Sequence, residues 1–194
     1  MTERRKEKML SVLHHRQPGL TVVLEDIHDP HNVSAILRSA DAVGILEVQL
    51  VYTNDPFPKL GKKSSASATK WIKRRAFTSI WECYDTLRNE GHAIFATHLG
   101  KRSTSLYELD LRQNVALVFG NEHRGVSQEA ARLADGNFQI PMVGMIQSLN
   151  VSVACAVSLY EAFRQRWTTG TYDQPQMKRD AMDKLFDEWS AEKR

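Results

Sequence analysis

Apolar positions along the chain alternate between two spacings. Four short runs, Leu20–Leu24 (LTVVL), Val48–Tyr52 (VQLVY), Ala93–Thr97 (AIFAT) and Val115–Phe119 (VALVF), are nearly continuous and carry few charges, as strands buried on both faces do. Between them, residues 31–43, 79–89 and 127–134 place apolar side chains at helical spacing; Ser79 (or Thr78) suits a helix cap and Gly91 a helix stop. A fifth short strand is expected at Phe138–Pro141, ahead of a helix over Ser148–Arg166 carrying Val151, Ala154, Cys155, Val157, Ser158 and Ala162. Strands alternating with helices predict an α/β fold with a mostly parallel sheet and helices on both faces.

Two helical extensions flank this core. Residues 4–16 read as a basic helix packing through Met9, Val12 and Leu13; residues 177–189 space Met177, Ala181, Leu185 and Trp189 four apart, with Met182 and Phe186 widening the stripe. Such a stripe packs on its own core or on a partner subunit more often than on a cofactor. The expected division of the 194 residues is therefore an extension over 1–18, an α/β domain over 19–166 and a second extension over 167–194.

Composition changes this picture little: 42% hydrophobic and 25% charged residues is ordinary for a soluble globular protein. No apolar run approaches the roughly 20 residues that span a bilayer, and no apolar signal-peptide core follows MTERRKEKML. Cys83 and Cys155 are alone and far apart, so no disulfide framework or CxxC knuckle is expected, and the chain reads as reduced and cytoplasmic. Charge distribution says more than the net +3. Residues 59–75 hold Lys59, Lys62, Lys63, Lys70, Lys73, Arg74 and Arg75 without an acid; residues 1–16 add Arg4, Arg5, Lys6, Lys8 and Arg16. Clustered cations suit nucleic-acid phosphates, although a solvated basic face is the plain alternative.

Three segments carry candidate chemistry. In Glu25–Arg38, Asn32 stands near a helix start after a strand, where α/β proteins bind ligands, and Arg38 can fork onto a phosphate. An Asn cap and a surface Arg explain the same spacing. His28 and His31 invite a metal reading, but Pro30 lies between them and no further ligand follows at a recognised spacing, so no metal is expected. In Phe119–Val126, glycines permit a sharp strand-to-helix turn, without the Lys-Ser/Thr of a P-loop; GxGxxG is absent from the chain. In Ile140–Ser152, Met142, Met145 and Ile146 offer apolar walls, and Ser148, Asn150 and Ser152 offer polar fixings for a small cofactor. Ser148 is also a plausible N-cap.

Together, HRQPGLTVVLEDIHDPHNVSAILRSADAVG (15–44), LVFGNEHRG (117–125) and IPMVGMIQSLNVSVA (140–154) resemble, in order, the three motifs of the SpoU branch of the SPOUT RNA methyltransferases. Within that branch the RQP opening, DPHNVSAILR and MVGMIQSLNVS are most similar to the tRNA guanosine-18 2′-O-methyltransferases. The resemblance implies a deep trefoil knot in the C-terminal part of residues 19–166, a homodimer formed around it, and S-adenosylmethionine bent in the knot. The cofactor contacts it implies are Thr97, His98 and Leu99, Gly120 and Asn121, Ile140 and Met142, and Ser148 and Leu149. It makes Arg38 catalytic, with Asn32, Glu122, Ser148 and Asn150 shaping the site, and Arg4, Arg5, Lys8, Arg16, Lys62, Lys63, Lys70, Arg74 and Arg75 holding tRNA or another structured RNA. Whether Arg38 is a literal base or a cation stabilising an alkoxide stays open, since a guanidinium is effectively always protonated. Methylation of ribosomal RNA or a tRNA wobble nucleotide is the alternative substrate reading, and a non-catalytic RNA-binding module the remote one. Ser39 replaces the usual Thr, His123-Arg124 replaces a Lys-containing pair, and GKKSSASATK is Ser- and Ala-rich where relatives carry Gly and Asn.

Overall fold

A computed structural model describes residues 1–53, 56–58, 68–100 and 102–191. In chain order its regular elements are α1 (Glu3–His14), β1 (Leu20–Glu25), α2 (Pro30–Ala42), β2 (Glu47–Val51), α3 (Ala68–Trp71), β3 (Lys73–Phe77), α4 (Ile80–Asn89), β4 (Ala93–Thr97), β5 (Thr104–Ser105), β6 (Val115–Phe119), α5 (Gln128–Leu133), β7 (Gly136–Gln139), α6 (Val151–Thr168) and α7 (Arg179–Ala191). The strands form one parallel sheet in the order β3-β2-β1-β6-β4-β7-β5. Every residue of β1 and β6 is buried, as expected of central strands whose faces are both covered.

The alternation of side chains along β1 explains the layering. Leu20, Val22 and Leu24 face a cluster built with Val33, Ile36 and Leu37 of α2 and Cys155, Leu159 and Ala162 of α6. Val23 points the other way, to Ile80, Cys83, Tyr84 and Leu87 of α4 and Ala130 of α5. A third cluster joins Met9 and Leu13 of α1 to Leu185 and Trp189 of α7, with Trp71 at its border. The two extensions thus pack on one another beside β3, where Trp71 meets Trp189 edge to face at 5.1 Å. No helix among the described residues is long and apolar enough to cross a membrane.

Element ends depart from expectation by small, explicable steps. The N-cap of α6 is Asn150, whose side chain accepts from Ser152 N, and not Ser148. Asp29 caps α2 with Pro30 in its first turn, so Asn32 lies inside the helix. Ser79 caps α4, and Gly91 past its end takes a left-handed φ of 84°. The fifth strand begins two residues earlier than expected, at Gly136. β3, KRRAF, was legible only as a basic stretch; as an edge strand it exposes Lys73 and Arg74 and buries only Phe77 fully.

Candidate active site

A parallel sheet brings the carboxyl ends of all its strands to one edge, and ligands bind where successive connections diverge. Here the chain leaves β1 towards β2 and β3 on one side, while β6, β4 and β7 lie on the other. The loops after β1, β6, β4 and β7 therefore meet over the middle of the edge, and they contain all three candidate segments.

Glu122, in the loop after β6, reaches across to the start of α2. Its Oε1 accepts from Asn32 Nδ2 at 2.9 Å and from Asp29 N at 3.1 Å, and its Oε2 accepts from His28 N at 3.2 Å. The carboxylate thus holds the two backbone amides that lead into α2, at the N-cap Asp29 and the residue before it, and sits near the positive end of that helix's dipole. Partial burial alone raises its pKa, but the bonds from Asn32, Asp29 and His28 outweigh that and hold the carboxyl below its ordinary value. Asn32 is 7% exposed, and its other amide atom, Oδ1, accepts from Asn150 Nδ2 at 3.0 Å. Asn150 Oδ1 in turn accepts from Ser152 N at 2.9 Å and Ser152 Oγ at 2.6 Å. The anion at one end fixes the orientation of both amides, so three residues from three distant motifs act as one directional chain.

The turn beneath this chain is also constrained. Asp26 is the only non-glycine residue with positive φ (48°) among the described residues. Its backbone carbonyl accepts from Asn121 Nδ2 at 2.9 Å, which binds the β1–α2 turn to the loop after β6. Asn121 Oδ1 folds that loop by accepting from His123 N and Arg124 N. Glu25 accepts from Ser127 N at 2.8 Å; burial first, then neighbouring Asp26 and Glu129, raise its pKa against that bond. A Cβ placed on Gly120 would lie 2.2 Å from the backbone of Gly125 and Val126, so the close turn requires glycine.

The segments expected to hold a cofactor follow three adjacent strands. Thr97 Oγ1 donates to Val118 O of β6 at 2.9 Å, and His98 N donates to Phe138 O of β7 at 3.0 Å, which ties the loop after β4 to both neighbours. Leu99 is exposed, as are Val143, Met145 and Ile146. Ile140, Met142 and Leu149 are half-buried and Ser148 is exposed on the approach to α6. Among the described residues no group of His, Cys, Asp and Glu is arranged to hold a metal.

Other expected site residues lie apart. Arg38 is exposed on α2, with no hydrogen bond or ion pair among the described residues. It lies six positions beyond Asn32, about 9 Å along the helix and roughly a third of a turn around it. Of the expected RNA contacts, Arg4, Lys8, Lys70 and Arg74 are exposed and Arg5 is half-buried; Lys62 and Lys63 lie outside the described residues. Arg16 corrects the expectation. It is 0% exposed, donating to Ile45 O at 2.6 Å, Trp71 O at 3.1 Å and Asp41 Oδ1 at 2.7 Å, with its guanidinium 5.3 Å from the Trp189 ring centre. Three fixed acceptors and a ring make it an internal tie between α2, the link from α2 to β2, α3 and α7, which leaves its guanidinium enclosed. Arg75 is likewise committed, gripped by Glu47 and Glu90, whose bonds raise its pKa. Sequence alone left the anchoring roles of Asp26, Asp29 and Ser152 unmarked, because each depends on partners brought together only by folding.

Comparison with known proteins places this geometry among relatives. The sequence profile of the SpoU rRNA Methylase family matches residues 19–160. The chain is 44% identical over 188 residues to the tRNA (guanosine(18)-2′-O)-methyltransferase of Thermus thermophilus, covering 97% of this chain and 96% of that protein. The crystal structure of the Aquifex aeolicus TrmH/SpoU tRNA modifying enzyme superposes with a TM-score of 0.92 at 36% identity, covering 98% of each chain. That of the SpoU methyltransferase AviRb from Streptomyces viridochromogenes, in complex with the cofactor AdoMet, superposes with a TM-score of 0.69 at 28% identity, over 79% of this chain and 62% of that one.

Proposed function

The chain belongs to the SpoU methylase family, and from that membership we propose that it transfers a methyl group from S-adenosylmethionine to the ribose 2′-oxygen of guanosine 18 in tRNA. The observation that carries the site assignment is the chain Glu122–Asn32–Asn150–Ser152, which joins the ribose-side and cofactor-side motifs at the carboxyl edge of the sheet.

The residues on the cofactor side fit such a group. Their loops follow three adjacent strands, half-buried Ile140, Met142 and Leu149 line them with apolar surface, and the glycine-only turn at Gly120 keeps backbone within reach. Thr97, His98, Leu99, Gly120, Asn121, Ile140, Met142, Ser148 and Leu149 are the residues that would hold it. Bound S-adenosylmethionine supplies an electrophilic sulfonium methyl group. The chain's own residues then have two tasks. Asn32 and Asn150, held by Glu122, offer a rigid polar edge that orients the ribose, so that its hydroxyl is presented in line. Arg38, uncommitted to any described partner, stabilises the oxyanion that develops as the 2′-proton leaves to water or to an RNA phosphate. Glu122 accepts three hydrogen bonds and holds its carboxyl below the ordinary range, which makes it an anchor and a poor base.

We read the active unit as a cytoplasmic homodimer. In support, α6 exposes Val153, Tyr160 and Trp167 at seven-residue intervals, and the loop before it exposes Val143, Met145 and Ile146. A partner subunit also offers a way to bring Arg38 to a site that its own helix turns it from. The knot belongs to the same reading, supported by β7 inserting between β4 and β5, which are consecutive in sequence. The RNA surface comprises Arg4, Arg5 and Lys8 with Lys70 and Arg74, on two basic stretches whose neighbours Met9 and Trp71 pack in one cluster. Residues 1–18 and 167–194 act as extensions to a methyltransferase domain over 19–166.

The test is labelled S-adenosylmethionine with unmodified tRNA carrying or lacking guanosine 18, followed by nucleoside mapping. Methylation confined to guanosine 18 is expected. Methylation of ribosomal RNA but not tRNA would overturn the substrate; tight tRNA binding without cofactor affinity would overturn the enzyme.

A further inference from the structure

The β1–α2 turn is braced by the end of β2, where one side chain both packs against the core and reaches the turn with its hydroxyl. Tyr52, the residue after β2, donates from its hydroxyl to Ile27 O at 2.9 Å. Its ring packs edge to face on Phe57, with centres 5.3 Å apart. The two residues that follow Ile27 are His28 and Asp29, whose amides both point at Glu122. Neighbouring bonds brace the same turn: Asp26 N donates to Val51 O at 3.0 Å, and Thr53 donates through its amide and hydroxyl to the Asp26 carboxylate at 3.0 and 3.2 Å. Burial, with the charges of Glu122 and Asp26, drives the Tyr52 pKa upward, so its hydroxyl stays a donor across the working pH range.

We propose that Tyr52 is a positioning residue for methyl transfer: its bond to Ile27 O sets the height of the 27–29 backbone, and so the aim of the two amides that hold Glu122 and, through it, Asn32 and Asn150. Among the described residues the Tyr52 hydroxyl bonds only to Ile27 O, so its effect on the site runs through main chain. A backbone carbonyl released by one hydroxyl can rotate the peptide that carries His28 N, and a misplacement of a fraction of an ångström is costly where alignment supplies the rate. The inference rests on the proposed function for its kinetic part, but its structural part stands alone.

The experiment uses Tyr52→Phe in the full chain, which keeps the ring on Phe57 and deletes only the donor. Turnover of tRNA at saturating substrates should fall about fivefold, the effect of one neutral hydrogen bond. S-adenosylmethionine affinity by calorimetry and the KM for tRNA should stay within about twofold, because no contact to either is removed. In a nitrogen-labelled sample the His28 and Asp29 amide protons should move upfield as their bonds to the carboxylate weaken. Thr53→Val, which loosens the same turn from the Asp26 side, should move those resonances in the same direction. The effect of Tyr52→Phe should largely vanish in a Glu122→Gln background, since both act through one anchor. Unmoved amides with unchanged turnover, or a lowered melting temperature with unmoved amides, would overturn the proposal. If the wild-type chain methylates no RNA, the functional reading fails while the resonance shifts still decide the coupling of Tyr52 to Glu122.

Discussion

Glu122 offers the sharpest test of the site, because its three bonds are lost unequally on substitution. In Glu122→Gln one oxygen remains to accept from Asn32 and Asp29, but both bonds lose their charge, and the new amide faces His28 N donor to donor. One lost bond and two weakened ones, discounted for a half-exposed site, amount to about 2 kcal/mol of alignment, or ~30-fold in rate. Glu122→Ala loses all three and leaves the buried amide of Asn32 unpaired, for about 3 kcal/mol and ~150-fold. The assay is single-turnover methylation at saturating tRNA and S-adenosylmethionine, with cofactor affinity and melting temperature measured in parallel. The reasoning holds if the rate falls in the order wild type, Gln, Ala while cofactor affinity changes by less than about threefold. Wild-type turnover in Glu122→Gln would refute it, because the carboxylate would then not be setting the orientation of Asn32.

Other outcomes follow from the same geometry. Arg38→Ala should cut turnover by at least about 100-fold, the order of one lost oxyanion stabiliser; a matching loss in melting temperature is not expected, since no described group depends on it. Arg16→Met should leave the salt dependence of RNA binding unchanged and lower unfolding stability by about 2 kcal/mol, for a partly buried ion pair and two buried carbonyls that lose their donor, whereas neutralising Lys70 and Arg74 should flatten the salt slope; the opposite pattern would return Arg16 to the RNA surface. Glu122 is held below its ordinary value of 4.5, so the stability it contributes is complete above that pH and is lost as pH falls through the lowered folded value; a Glu122→Ala protein should show a flatter stability profile there by denaturant titration. On the proposed homodimer reading, light scattering should give a dimer mass for the wild-type chain and a monomer mass for Tyr160→Glu on the exposed stripe of α6; an unchanged mass would remove that face from the interface.

Much of the scaffold was legible because its signals are local. Five of the seven strands follow from short uncharged runs such as VALVF, and the α4 cap follows from Ser79, since both depend on neighbours within a few residues. β3 was hidden because an edge strand has little to bury, and its Lys73-Arg74-Arg75 run signals charge where its structure is extended. β5, of two residues, carries no periodicity at all. Arg16 and Arg74 were indistinguishable as members of basic stretches, although one is enclosed and the other exposed. Nothing within sixteen residues of the N-terminus announces Asp41, Ile45 and Trp71 as its partners.

Sequence alone determined the alternation of strand and helix, the residue types available at each strand end and, through three motifs in order, the family resemblance. Tertiary structure alone decided which of those residues act together. Glu122 meets Asn32 ninety positions away, and Asn150 meets Asn32 across 118; such pairings are set by the order of strands in the sheet, which no local pattern encodes. The same placement distinguishes the uncommitted Arg38 from the buried Arg16: a cation's role follows from the acceptors that folding brings around it.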